Sequence, residues 1–351
     1  MRKTTIFNIE CLLIMLLAML MISCSSDSFD DVQEVNEPVV FSLSFGNTVT
    51  RAATVDNLWP ANTHITISNG SKKTYTTGNN PSNVSGAATS LTPIGDDAFI
   101  WPTTNPSWSF SGWYPAGDSP TTDMTVSADQ TIYDQDKNTT GITDAVYYGY
   151  DILYCPPMAV SFRQKPVALT FLHQMARVVV IVNSSYTETK ETVTGVEFGG
   201  GRLAVSGNIT NQPATNANGT TTWSVGTQNQ TVKMRPNASK TDATSNVYAF
   251  ECMLPPQSGG AKTTLNKEDN LILISSMTKE ETPASRNYIY DTSFNMQAGY
   301  QYTYNLLISE RGVITLATVK VTDWQTGTPI NNSNGVTTIP GNNYPKSPIN
   351  N

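Results

Sequence analysis

The chain has 351 residues, only 14% of them charged, with 21 basic against 28 acidic side chains. That acidic balance, with no basic patch, excludes a nucleic-acid partner held through phosphate contacts. Hydrophobic residues make up 38%, beside 20 Pro and 23 Gly, the profile of a turn-rich β protein, and at ~150 residues per domain the length holds two cores.

The chain opens on Arg2 and Lys3, followed by the apolar run 11–22, then Ser23 and Cys24. A positive start, an apolar middle and a small residue at the end make a secretory signal. The run falls short of the ~20 apolar residues of a spanning helix. A cysteine directly after the small residue resembles the lipobox of bacterial lipoproteins. That resemblance implies a signal peptide over 1–23 and Cys24 as the acylated mature N-terminus. Acyl chains contributing ~0.8 kcal/mol per buried CH₂ would then hold the protein on a membrane. The acidic, Ser-rich stretch 25–31 resembles the sorting tether of outer-surface lipoproteins.

Residues 39–45 alternate, with Val39, Phe41, Leu43 and Phe45 on one face and Val40, Ser42 and Ser44 on the other. This predicts a half-buried strand ended by Gly46-Asn47. Arg51, followed by Ala52, is the only basic residue between Lys3 and Lys72. It is either an exposed target for a trypsin-like protease or an ordinary solvated arginine. Two alternating runs, 64–68 and 73–76, flank Asn69-Gly70, a strong hairpin signal. Residues 107–115 hold Trp108, Phe110 and Tyr114 at strand spacing, with Trp113 beside them. Trp108 and Trp113 are candidates for stacking on a sugar ring, and core packing is the plainer reading. The stretch 134–145 begins like a calcium loop at Asp134, Asp136 and Asn138. It lacks glycine at position six and glutamate at position twelve, so a solvated turn is expected and no metal is assigned.

Pro156, Pro157 and Pro166 suggest a domain boundary. A long strand signal then covers 169–182, apolar on both faces from Val178 to Val182, with His173 expected as a packed core residue. Further strands are expected at 193–198, 222–225, 231–234, 247–254, 271–275, 288–290, 300–308 and 314–324. Gly199-Gly200-Gly201 reads as a turn. Short strands with turn residues at regular spacing indicate β-sandwiches. Cys155 and Cys252 remain after the signal and the lipidated residue, as either a disulfide or two buried thiols. With only His64 and His173, and no metal-ligand spacing, nucleophile elbow or phosphate loop, no enzymatic activity and no cofactor are expected.

Taken in order, Trp101, Phe110, Trp113-Tyr114-Pro115, the run 169–176, the run 298–304 and Asp323-Trp324 resemble fimbrillin-like proteins. These are lipoprotein subunits of type V pili on Gram-negative outer membranes. The resemblance spans about 39–324 and implies an all-β fold of two tandem transthyretin-like β-sandwich domains after a lipoprotein signal. The expected division is 24–51 for lipid tether and removable first strand, 52–165 and 166–328 for the sandwiches, and 329–351 for a polar, Pro-containing tail. It further implies cleavage after Arg51 by an Arg-specific protease, removal of the strand carrying Val39, Phe41, Leu43 and Phe45, and its replacement by a strand from another pilin subunit. In the tail, Ile330, Val336, Ile339, Tyr344 and Ile349 are scattered among prolines, which fits a tip or accessory adhesin better than a stalk subunit. The alternative is a monomeric outer-surface lipoprotein that binds glycan or host protein.

Overall fold

The computed structural model describes residues 37–45, 59, 61–79, 88–102, 107–132, 140–184, 191–210, 223–260, 270–279, 282, 284–308 and 314–323. In chain order the first strands are β1 (Phe41–Phe45), β2 (His64–Ser68), β3 (Lys72–Thr76), β4 (Thr89–Ser90), β5 (Thr92–Pro93), β6 (Trp108–Tyr114) and β7 (Asp123–Thr125). One short helix, α1 (Asp144–Gly149), precedes β8 (Leu153–Val160) and β9 (Val167–His173). There follow β10 (Ala176–Asn183), β11 (Glu191–Leu203), β12 (Ser206–Ile209), β13 (Trp223–Val225), β14 (Gln230–Lys233), β15 (Arg235–Pro236) and β16 (Val247–Leu254). The last are β17 (Gln257–Gly259), β18 (Ile272–Thr278), β19 (Ser285–Tyr290), β20 (Phe294–Met296), β21 (Tyr300–Ile308) and β22 (Ile314–Asp323).

The first sheet runs β4-β1-β9-β8-β6-β2-β3-β5. Only Leu91 separates its two terminal strands, β4 and β5, so the sheet curls round nearly to its own start. Its interior holds Phe41, Leu43, Ile65, Ile67, Tyr75, Phe110, Leu169 and Phe171. The β2–β3 hairpin forms around Asn69-Gly70 as expected, with Gly70 at φ 106, a conformation that favours glycine. A second core lies between the sheets β15-β16-β10-β21-β22 and β14-β11-β18-β19. Phe198 meets Tyr304 across that interior at 5.8 Å between ring centroids.

Four expectations change. The signal at 169–182 is not one strand. It divides at Gln174 into β9 of the first sheet and β10 of the second. The backbone turns there because Gln174 N–H donates to Ile152 O, and Gly299 N–H donates to Met175 O. The division at 165/166 therefore moves: Val167, Leu169 and Phe171 belong to the first core. Conversely, Val126, Tyr147 and Ile152, expected in the first sandwich, pack in the second core, and β7 pairs with β12. Gly199-Gly200-Gly201 is not a turn but a bulge inside β11. Finally, Trp113, on the face of β6 opposite the core-facing row, is itself buried, its indole N–H donating to Gly117 O, while the extra residue of the β6–β8 pairing lies in β8, between Cys155 and Met158.

Cys155 lies in the first core and Cys252 in the second, both as free thiols, which settles the open cysteine reading. Burial pushes the Cys155 thiol up to about 12 and raises that of Cys252 too. Since the thiolate is the nucleophile, neither should react with a disulfide reagent at about pH 8 in the native state, and both should react in denaturant. Rapid labelling of either one in native buffer would contradict this placement.

The candidate strand-acceptor groove

Strand β1 sits inside the first sheet, not on its rim. It pairs in parallel with β9, Phe41 opposite Val167 through Phe45 opposite Phe171. On its other edge it pairs antiparallel with β4, Leu43 opposite Thr89. Backbone bonds continue upstream of the strand. Val39 N–H donates to Phe99 O at 2.8 Å and Trp101 N–H to Glu37 O at 2.9 Å. Val167 N–H donates to Val40 O at 2.8 Å and Leu91 N–H to Phe41 O at 3.1 Å.

The alternation read from sequence sets which side chains enter the core. Val39, Phe41 and Leu43 are buried, while Val40 on the opposite face is 41% exposed. Phe41 is held edge-on by three rings, Phe110 at 4.9 Å, Tyr75 at 5.1 Å and Phe99 at 6.1 Å between centroids. Such edge-to-face contacts suit the ring quadrupole. The Phe99 wall is itself fixed. Its N–H donates to Tyr75 Oη at 2.9 Å, and Lys73 Nζ donates to Ala98 O and pairs with Asp97 at 2.9 Å. Burial raises the Tyr75 phenol, so it stays a neutral partner in that bond. At the mouth of the groove Glu37 pairs with Lys165 and, at 3.6 Å, with Arg163. This anchor was missed in sequence, because Glu37 lies far along the chain from both cations.

No tight hairpin ties β1 to either neighbour. The chain runs from Phe45 to Thr89 before meeting one and to Val167 before meeting the other. A strand supplied from elsewhere would need no turn geometry to occupy the same slot.

The remaining sequence candidates fall into two groups. Cys24, Arg51, Ala52, the signal, the tether and the tail lie outside the described residues, as do the Phe45 side chain and 133–139 of the calcium-like stretch. Trp108 and Trp113 do not form one stacking surface. Trp108 is half-buried with its face against Trp101, 5.3 Å between centroids at 22°. Trp113 is 4% exposed, and its indole N–H donates to Gly117 O at 3.0 Å, so it has no ring face to offer a sugar. His173 is buried as expected, with Nδ1 at 2.8 Å from Asp151 Oδ1.

Sequence reading also missed a charged network in the second core. Arg177 pairs with Glu251, which accepts from Asn237 Nδ2 at 2.7 Å. Arg235 lies 4.2 Å over the Tyr147 ring and pairs with Asp144 on α1. Arg177 and Glu251 each interrupt an otherwise apolar run, the one signal available.

The molecule is thus an all-β protein with two sandwich-type cores, the first completed by an inserted opening strand. A sequence profile of the fimbrillin-like family matches residues 50–324, and the chain belongs to that family. The matched stretch begins just after β1. No curated protein matches the chain in sequence. Among solved structures it resembles a candidate cell adhesion protein from Bacteroides ovatus, with a TM-score of 0.51 and 16% identity over 82% of this chain and 98% of that one. A candidate cell adhesion protein from Bacteroides uniformis gives 0.49 and 15% over 83% and 100%. The C-terminally truncated tip fimbrial protein of Porphyromonas gingivalis gives 0.38 and 10% over 82% and 99%. The first of these likenesses is one of fold.

Proposed function

We propose that this chain is a non-enzymatic subunit or tip/accessory adhesin of a cell-surface pilus, exported as an outer-membrane lipoprotein through Cys24. In this reading an Arg-specific protease cuts between Arg51 and Ala52, β1 leaves, and a strand from a second pilin subunit takes its place. The supporting observation is β1 itself, buried and paired on both edges yet lying ahead of the family match at 50–324. Losing it strips hydrogen-bond partners from β9 and from the 89–101 wall. A donated strand restores them by β-augmentation. Cleavage makes the exchange irreversible and frees the body from its lipid.

N-terminal sequencing of the surface-exposed protein tests this. The mature form should begin at Ala52 and run as ladders in unboiled gels. Arg51→Ala should keep its acylated N-terminus and give no ladder. If the wild-type protein also keeps an intact Arg51–Ala52 bond and no ladder forms, the competing reading of a monomeric surface lipoprotein gains. That reading has lost one of its two aromatic candidates to burial.

A further inference from the structure

We propose that the outer face of the second sandwich carries a binding cleft for a neutral, polyhydroxylated sugar ring, separate from the β1 groove. The cleft holds about 380 Å³ and is lined by Glu197, Thr231, Asn270, Leu273, Ser275 and Asn287. That volume falls in the ~300–1,000 Å³ range of small-ligand sites.

The cleft exists because of the glycine bulge. Phe198 pairs with Val232 and Leu203 with Gln230, so residues 199–202 stand opposite Thr231 alone. Gly199, Gly200 and Gly201 have φ of 113, 51 and 67, which lets the backbone step off the sheet. Gly199 N–H then donates to Leu271 O at 2.6 Å and Gly201 N–H to Thr231 Oγ1 at 2.7 Å, fixing the step as a wall. Of the three glycines, Gly200 lines the cleft. Bulges of this kind often accompany binding sites.

Register puts the functional groups on one face. Glu197 is opposite Leu273 and Ser275 opposite Asn287. Asn287 is only 7% exposed. Its amide accepts from Ser275 Oγ at 3.0 Å, and its nitrogen makes no hydrogen bond among the described residues. The Glu197 carboxylate likewise has no ion pair or hydrogen bond among them. The amide nitrogen and the carboxylate thus give the cleft one free donor and one free acceptor side by side. A sugar hydroxyl both donates and accepts, so vicinal hydroxyls satisfy the two groups together. Thr231 and Ser275 serve either role, and half-buried Leu273 offers an apolar floor to the C–H face of a ring. One carboxylate is too few for calcium, which takes six to eight oxygens and usually several carboxylates, and too few to favour a basic peptide.

The test is calorimetric titration of the intact, uncleaved chain with galactose, N-acetylgalactosamine, N-acetylglucosamine and lactose. Because no cleavage is involved, its outcome is independent of strand replacement. At least one sugar should bind. Glu197→Gln and Ser275→Ala should each weaken binding about tenfold, as expected for one lost hydrogen bond to a charged or buried group, while Trp108→Ala leaves it unchanged. Glu197→Gln should melt at the wild-type temperature, so that lost binding is not lost fold. The proposal is overturned if none of the four binds at about 10 mM, a weaker limit than the millimolar affinities of single sugars. Undiminished binding in both variants, or binding only of calcium chloride or oligolysine, overturns it equally.

Discussion

A chain beginning at Ala52 should unfold far more readily than the intact chain, and a peptide spanning 37–45 should restore it. Val39, Phe41 and Leu43 are all buried in the first core. At ~1.5–3 kcal/mol per buried side chain, their removal costs roughly 5–9 kcal/mol. The N–H groups of Val167, Leu91 and Trp101 also lose their acceptors, at about 1 kcal/mol or more each where water cannot reach. Whole domains are stable by only ~5–15 kcal/mol, so this loss takes the first sandwich to the edge of unfolding. Thermal melts and amide exchange along β9 read the effect directly. The peptide should recover both, and the same peptide with Phe41→Asp should recover neither, because a charge would enter a pocket of three rings. A shortened chain that melts with the intact one would remove the driving force for strand replacement.

The second large effect is expected at Glu251. Arg177 is 3% exposed and Glu251 8%, paired diagonally across β10 and β16, with Gln301 Oε1 accepting from Arg177 at 3.3 Å. Glu251→Ala leaves the Arg177 guanidinium buried without its counter-charge, and Asn237 Nδ2 without its acceptor. Breaking one side of such a buried pair costs about 3–5 kcal/mol. Replacing both partners, as Arg177→Met with Glu251→Leu, removes the stranded charge and should recover much of that loss. Denaturant midpoints of the two single variants and the double supply the coupling. A Glu251→Ala variant less than about 1 kcal/mol below wild type would show that the network contributes little.

The candidate groove was legible to a large extent because its signal is local. Alternation over 39–45 states which side chains share a face, and the structure buries Val39, Phe41 and Leu43 while leaving Val40 exposed. The Asn69-Gly70 hairpin and the strands over 247–254 and 300–308 were equally readable, since pattern and turn chemistry act within a few residues. The network of Arg177 and Glu251 was not readable as a pair, because two lone charges on apolar strands become partners only when β10 and β16 align. The run Gly199-Gly200-Gly201, read as a turn, was misread in the same way. Three glycines give one local preference, positive φ, which serves a turn and a bulge alike.

By itself the sequence determined the all-β class, the two-core scale and the inward face of the first strand. The tertiary structure decided which strands are neighbours. It placed β1 between β4 and β9, split the apolar run at Gln174 between two sheets and buried Trp113 against the loop at Gly117. The physical reason is that a side chain's face follows from the two-residue period of its own strand. A strand's partner depends on which distant edge has matching hydrogen bonds and apolar surface to share, and that choice is made only when the sheets close.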